Sequence, residues 1–265
     1  MTPASTRPFE LSLIGGPWAR RLAPRRAWLD DLPWDEALPA PAEVGDACAV
    51  WTRTAFNEYA SAAAFAEIAT LLLACGAPID LIAAAGDFVV DEIVHTEAAA
   101  RLATALGGAV ALHVDLGKLV RPPSTGDPLL RAAELIVRTS CVGEALTVPV
   151  LKVARDVASS PLVTGALARI VADESAHAQL GTWFLDWADP ELDDAARAHL
   201  GRVAGRALRD LAPGPPSGCT SGLGRIDCAT FATTLAAGAT RHVARPLATR
   251  GIVVPREDLA AVGAT

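Results

Sequence analysis

The chain lacks any CxxC pair. Its cysteines, Cys48, Cys75, Cys141, Cys219 and Cys228, are odd in number and irregularly spaced. That excludes a zinc ribbon or a rubredoxin-like iron site and predicts reduced thiols. An excess of positive charge is also missing. With 23 Lys and Arg against 30 Asp and Glu, the net charge is -7, so there is no electrostatic footprint for nucleic acid. The opening "MTPASTRPFELSLIGGPW" has no basic n-region leading into an apolar h-region, so no secretion signal is read and a cytoplasmic protein is expected. No stretch reads as a membrane span. The most apolar one, "YASAAAFAEIATLLLACGAP", carries Glu67 and ends in Gly-Ala-Pro, which suits a buried helix. β-Branched runs are short and alanine runs frequent, which favours helix. What is present is a chain of 265 residues, 51% hydrophobic and 20% charged, long enough to bury a substantial core.

Residues 1–43 are rich in proline and tryptophan and read as an irregular arm, anchored on the body by Trp18, Trp28 and Trp34. Four long helical patterns follow, at about 44–75, 79–106, 129–158 and 162–188. Their breaks are Gly76-Ala77-Pro78, Gly107-Gly108 and Ser159-Ser160-Pro161, with Ser160 as N-cap and Pro161 at the first helical position. Asp189-Pro190 opens a fifth helix to about residue 211. After the loop "APGPPSGCTSGLG" a last helix covers roughly 227–249. The connections run short, long, short. They describe an all-α bundle of two antiparallel hairpins joined by a crossover over 107–127. The expected division is an arm (1–43), a bundle (44–188) and a C-terminal helical extension (189–265).

Two stretches carry the chemistry. "DEIVHTE" starts at Asp91 and "DESAHAQ" at Asp173, 82 residues apart, and both read Asp-Glu-x-x-His. The chain has only five histidines and twelve glutamates, so two such coincidences in mid-helix, at equivalent bundle positions, are a poor product of chance. On a helix, Glu92 and His95 share a face, as do Glu174 and His177. A carboxylate and an imidazole so placed can bind one metal ion, or two with the carboxylate bridging. The competing reading is a pair of surface Glu–His contacts.

A di-metal carboxylate bundle also takes one glutamate from each remaining helix. Residues equidistant from a hairpin turn lie side by side. Mirroring Glu174 and His177 about residue 160 falls on 146 and 143, next to Glu144. Mirroring Glu92 and His95 about residue 77 falls on 62 and 59, next to Glu58. Glu67 lies nine residues from Glu58, half a turn away in direction, and reads as a surface or salt-bridged carboxylate. The candidate metal ligands are Glu58, Glu92, His95, Glu144, Glu174 and His177, with Glu58, Glu144 and Glu174 as the catalytic carboxylates. Four carboxylates balance two divalent ions, and oxygen donors with one nitrogen per ion suit Fe(II), with Mn as the alternative.

At these residues the chain resembles the ferritin-like superfamily of di-iron carboxylate proteins. More narrowly it resembles a bacterial group marked by "EYASAAAF" at Glu58, the "GAP" turn, "DEIVHTE", "CVGEAL" at Cys141 and "ADESAHAQL". The match covers roughly residues 50–250 and is weaker in "GRIDCA" and "RHVARPLA". The resemblance implies a ferritin-like four-helix bundle, two bound iron ions and oxygen chemistry. It also implies a crossed arrangement in which Asp173 serves His95 and Asp91 serves His177. A metal-bound histidine commonly donates its other N–H to a carboxylate. There are two departures. Position 170, where the arylamine N-oxygenase branch carries another His ligand, is Ile170. The CxxC-based domain usual in rubrerythrins is absent.

The reading that results is a di-iron, O2-dependent oxidase or oxygenase for a small organic substrate. The alternatives are a ferroxidase or peroxide-reducing iron-handling protein and a non-catalytic bundle. Expected partners are O2 and the substrate, with an external electron donor and a homodimer as options. No nucleic acid or membrane partner is expected. Small residues beside Glu58 and Glu144 predict an apolar cavity opening between the first and third bundle helices. Ala62, Cys141 and Thr147 are the candidate lining residues. Tyr59, the sole tyrosine, is a candidate for a radical or proton-relay role.

Overall fold

The computed structural model describes residues 6–38, 47–119, 126–211 and 222–264. The described residues are mostly helical, with one short antiparallel pair of strands, β1 (Arg7–Pro8) and β2 (His113–Val114). The fold is all-α.

The first long hairpin joins α2 (Ala47–Ala74) to α3 (Ile79–Ala105). Its turn works as the sequence predicts. Gly76 takes φ 67°, a conformation costly for other residues, and the Ala77 amide returns to the Leu72 carbonyl at 3.0 Å. Helix α3 ends where Gly108 donates to the Ala103 carbonyl at 3.1 Å. The third long helix spans residues 128–156. Asp127 caps it by accepting from the Leu129 amide at 3.0 Å, with Pro128 in the first turn. It is not uniform. Helix α4 (Pro128–Ile136) passes into a π-helical stretch (Val137–Glu144) and then into α5 (Ala145–Asp156). The fourth, α6 (Pro161–Ala188), begins as expected, with Ser160 accepting from the Val163 amide at 3.3 Å. The Glu36 carboxylate adds a second cap by accepting from the Leu162 amide at 2.8 Å.

Beyond the four long helices, α7 (Asp194–Leu211) packs on the third helix near its π-helical stretch. A last helical run comprises α8 (Cys228–Gly238), a second π-helical stretch (Ala239–Ala244) and α9 (Arg245–Ala248). A short α10 (Arg256–Ala261) packs on α7. The core is apolar, built on Phe65, Ile68, Leu72, Ile136, Leu146 and Phe184.

Three expectations need correction. The N-terminal segment is not irregular along its length: α1 occupies Gly16–Asp30 and packs on α3 through Leu29, Val94 and Ala98. Pro17 sits at its start, where no amide partner is needed, and the helix tolerates Pro24 inside. Trp18 is not an anchor. It is 63% exposed and carries only Arg21 over its ring, at 5.2 Å, whereas Trp28 and Trp34 do pack against the core. Cys228 is disulfide-bonded while Cys48, Cys75 and Cys141 are free, so the thiols are not all reduced and one ground for a cytoplasmic location is lost. Parts of the crossover, and the expected segments at 39–46 and 212–221, lie outside the described residues. Among the described residues, no helix is long and apolar enough to cross a membrane.

Candidate metal centre

The hairpin geometry brings the two Asp-Glu-x-x-His stretches face to face in the core. Glu92, His95, Glu144, Glu174 and His177 are all buried. His95 Nδ1 lies 3.8 Å from Glu92 Oε2 and 3.2 Å from Glu174 Oε1. His177 Nδ1 lies 3.1 Å from Glu92 Oε1 and 2.9 Å from Glu174 Oε2. Each of these two carboxylates therefore spans both imidazoles, one oxygen to each. Glu58 comes in from α2 on the His95 side, its Oε2 3.9 Å from Nδ1. Glu144, at the end of the π-helical stretch, faces Glu174, Glu92 and His177, whose charges act on it.

The outward faces of the imidazoles meet the two aspartates crosswise. His95 Nε2 is 3.2 Å from Asp173 Oδ2, and His177 Nε2 is 3.5 Å from Asp91 Oδ2, which is long for a hydrogen bond. An Nε2–H donated outward leaves each Nδ1 lone pair for the cluster. Each aspartate is itself held by an arginine. Arg25 of α1 reaches Asp91 at 2.6 Å and Asp87 at 3.0 Å, and Arg169 reaches Asp173 at 3.0 Å. Phe88 and Phe65 cover the His177 ring, with centroids at 4.3 and 5.2 Å.

The buried charges of the cluster act strongly on one another. Burial, then repulsion from Glu92 and Glu174, pushes the Glu58 carboxyl well above its usual range. Burial, then Glu174 and Glu92, does the same to Glu144. Burial also opposes ionisation of Glu174, but hydrogen bonds from both imidazoles outweigh it and hold that carboxyl below the usual range. On His177 burial is overcome by Asp91, Glu174 and Glu92, which hold the imidazolium up to about 12, and His95 is raised for the same kind of reason. In the absence of a metal the cluster balances its charge with protons, which divalent ions would displace. Neither Glu92 oxygen makes a well-formed hydrogen bond; Oε1 lies 3.1 Å from His177 Nδ1 and Oε2 3.8 Å from His95 Nδ1. Burying a carboxylate with incomplete pairing is costly, and a cation would complete it. Donor atoms of Glu58, Glu92, His95 and Glu174 lie within 4.8 Å of one another, so this group could hold a metal ion. The donor set fits.

Other titratable residues, among them Glu67 as expected, are paired outside the cluster. Glu67 pairs with Arg131 at 3.2 Å, and Glu97 with Arg26 and Arg101. His199 pairs with Glu134. Tyr59 stacks edge-on against Phe9 at 5.5 Å and lines a different, arm-side cavity, so nothing ties it to the cluster.

A cavity of about 530 Å³ opens between α2 and the third helix and reaches Glu58, Glu144 and Glu174. Its position is the one expected, but its walls are not. Thr147 lines it, together with Asn57, Ser61, Lys118 and Arg138, so it is mixed rather than apolar. Ala62 and Cys141 do not line it. Ala62 is turned into the core on the Ala55–Phe65 side of α2. Cys141 would share a face with Glu144 in an α-helix, but the i→i+5 spacing of the π-helical stretch takes it off that face. It packs toward Gly181 of α6, where even a Cβ would collide with its sulfur. Burial pushes its thiol up to about 12, which disfavours the thiolate form. The π-helical stretch itself, and the arginines behind the aspartates, left no signal that the sequence reading caught.

Compared with protein-family models, curated proteins and solved structures, the chain matches none.

Proposed function

We propose that the protein is a ferritin-like di-iron enzyme, an O2-dependent oxidase or oxygenase acting on a small organic substrate. The observation that carries this reading is the pair of buried carboxylates, Glu92 and Glu174, each set between the same two imidazoles, with a further glutamate on either flank. Glu58 and His95 would hold one ion, Glu144 and His177 the other, and Glu92 and Glu174 both. Four carboxylates neutralise two divalent ions, and hard oxygen donors with one nitrogen each suit iron, or manganese as the alternative. When bound, a pair of ferrous ions supplies electrons for reducing O2. The remaining work belongs to the chain. Asp91 and Asp173 orient the imidazoles. Phe65 and Phe88 keep water from the His177 side. The cavity between α2 and the third helix admits a substrate to the carboxylate flank.

A second reading, ferroxidase or peroxide reduction, is favoured by the polar mouth of that cavity, where Asn57, Glu67 and Asp210 stand. One experiment separates them. Protein is loaded with Fe(II) without oxygen, then given O2 and excess reductant. The expected result is about two iron ions per chain and O2 consumption that continues over many turnovers and slows in Ser61→Phe and Thr147→Phe at unchanged iron content. Consumption that stops once the added iron is oxidised, with the plugs inert, establishes iron handling instead. Failure to bind iron or manganese removes both.

A further inference from the structure

On the opposite flank of the third helix lies a second cavity of about 360 Å³, walled by α5, α6 and the last helical run. It shares no lining residue with the metal-side cavity. Its basic side chains are Lys152 from α5 with His242 and Arg250 from the other side, and no aspartate or glutamate lines it. This is notable in a chain of net charge -7. Arg250 is taken by Asp186 at 2.7 Å. Lys152 and the neighbouring Arg241 have no ion-pair partner among the described residues. Burial, then the charges of Arg241 and Lys152, depresses the His242 imidazole, which sets both cations close to it. The rest of the lining is mostly apolar, with Val148, Pro149, Val243 and Leu247 beside Ser175, Gln179 and Thr182. Polar rim and apolar wall are the two halves of a small-molecule site.

We propose that this cavity is a second ligand site, taking a small amphiphilic carboxylate with its head group on Lys152, in the field of the nearby Arg241, and its tail along Val148 and Leu247. A bare anion would leave the apolar wall wet, and a neutral alcohol would leave the cations unpaired. The combination of charge and tail is therefore what the cavity selects. The site does not depend on metal. Its floor, however, interleaves with the proposed ligands: Cys141 and Ala145 alternate with Glu144, and Ser175 and Ala178 each follow a ligand of α6. A bound tail lies against the backs of two of the four helices that carry proposed ligands, the third helix and α6.

The test is calorimetric titration of the purified full chain with octanoate, acetate and octanol at low ionic strength. Octanoate is expected to bind once per chain, with acetate and octanol at least about tenfold weaker, a difference of ~1.4 kcal/mol. Lys152→Gln with Arg241→Gln, two exposed positions that should fold normally, is expected to weaken octanoate at least about fivefold. Arg138→Gln, in the metal-side cavity, is expected to leave it unchanged. Octanoate binding that ignores the double variant overturns the proposal, as does acetate or octanol binding equally well. Loss of binding in Arg138→Gln places the ligand in the other cavity and overturns it too.

Discussion

The two hairpins repeat each other at an offset of 82 residues. Asp91, Glu92 and His95 correspond to Asp173, Glu174 and His177. Around these matched residues almost everything else differs. The partner helix of the first motif, α2, is an unbroken α-helix, while the partner of the second carries a π-helical stretch that ends on Glu144. Four residues past His95 stands Ala99, fully buried. Four past His177 stands Gly181, because the π-helical stretch brings Cys141 too close for any side chain. Four before Asp173, Arg169 supplies a cation from the same helix. The matching position before Asp91 is Asp87, and the cation arrives from α1 as Arg25. The motif repeats, but the means of holding it do not, and the two halves of the cluster are not equally tight: His95 lies 3.8 Å from its own Glu92, His177 2.9 Å from its own Glu174. Two different supports can converge on one donor arrangement when the chemistry fixes the donors alone.

The largest effect comes from removing donors from the second hairpin. Glu144→Ala with Glu174→Ala removes one flanking carboxylate and one that spans both imidazoles. Iron content after anaerobic loading should fall from about two ions per chain to none, read by metal analysis. Unchanged stoichiometry would leave the site assignment without support.

On the first hairpin a single change is sharper. Glu58→Ala should lose one ion and retain the other, since Glu144 and His177 remain. Glu67→Ala should bind iron normally, because its carboxylate is engaged with Arg131. The reverse result would mean that α2 presents a different face to the cluster.

Replacing the aspartates tests whether the two supports are equivalent. Asp173→Asn and Asp91→Asn should each weaken metal binding by about 10- to 100-fold while keeping the fold. The larger loss is expected at Asp173, whose contact with His95 is the shorter, 3.2 against 3.5 Å. Equal affinity to the parent in both variants would reduce the crossed pairs to simple packing.

The glycine tests the cause of the asymmetry. Gly181→Ala should cost about 1–3 kcal/mol by overpacking against Cys141, measured by denaturant unfolding. Gly181→Ala with Cys141→Ala should recover much of it. A Gly181→Ala variant that is as stable as the parent would show that the helices separate freely there.

Much of this arrangement was legible in the sequence because it rests on local rules. Gly76, Ser160 and Pro161 mark helix ends through backbone preferences that act wherever they occur. The Asp-Glu-x-x-His spacing encodes a helix face, and reflection about a tight turn locates Glu58 and Glu144. The failures share a cause as well. Reflection and face arguments assume constant helical phase. The π-helical stretch breaks that phase between Cys141 and Glu144, so Cys141 was assigned to the wrong cavity. Helix α1 was missed because Pro17 and Pro24 read as breakers, whereas packing of Leu29 against Val94 and Ala98 keeps the segment helical. Arg25 could not be placed from sequence, since its partner lies 66 residues away on another helix.

The smallest predicted effect concerns that arginine and its counterpart. Arg169 and Arg25 are both partly exposed, their side chains 47% and 38% accessible, so each pair should contribute only about 0.2–1 kcal/mol by itself. Their surroundings make them unequal. Removing Arg169 leaves Asp173 with its 3.2 Å contact to His95 and no carboxylate one turn before it. Removing Arg25 leaves Asp91 one helical turn from Asp87 with nothing between the two charges, and like charges at that spacing repel. Asp91 would then turn toward water, and its contact with His177 is already long. Arg25→Gln should therefore weaken iron binding by roughly 1.4-fold to fivefold, the span of ~0.2–1 kcal/mol, and Arg169→Gln by less. Anaerobic iron titration against a competing chelator measures both, and Arg25→Lys should restore part of the loss. If Arg169→Gln proves the more damaging, the support that matters runs along α6 itself and α1 contributes only its packing on α3.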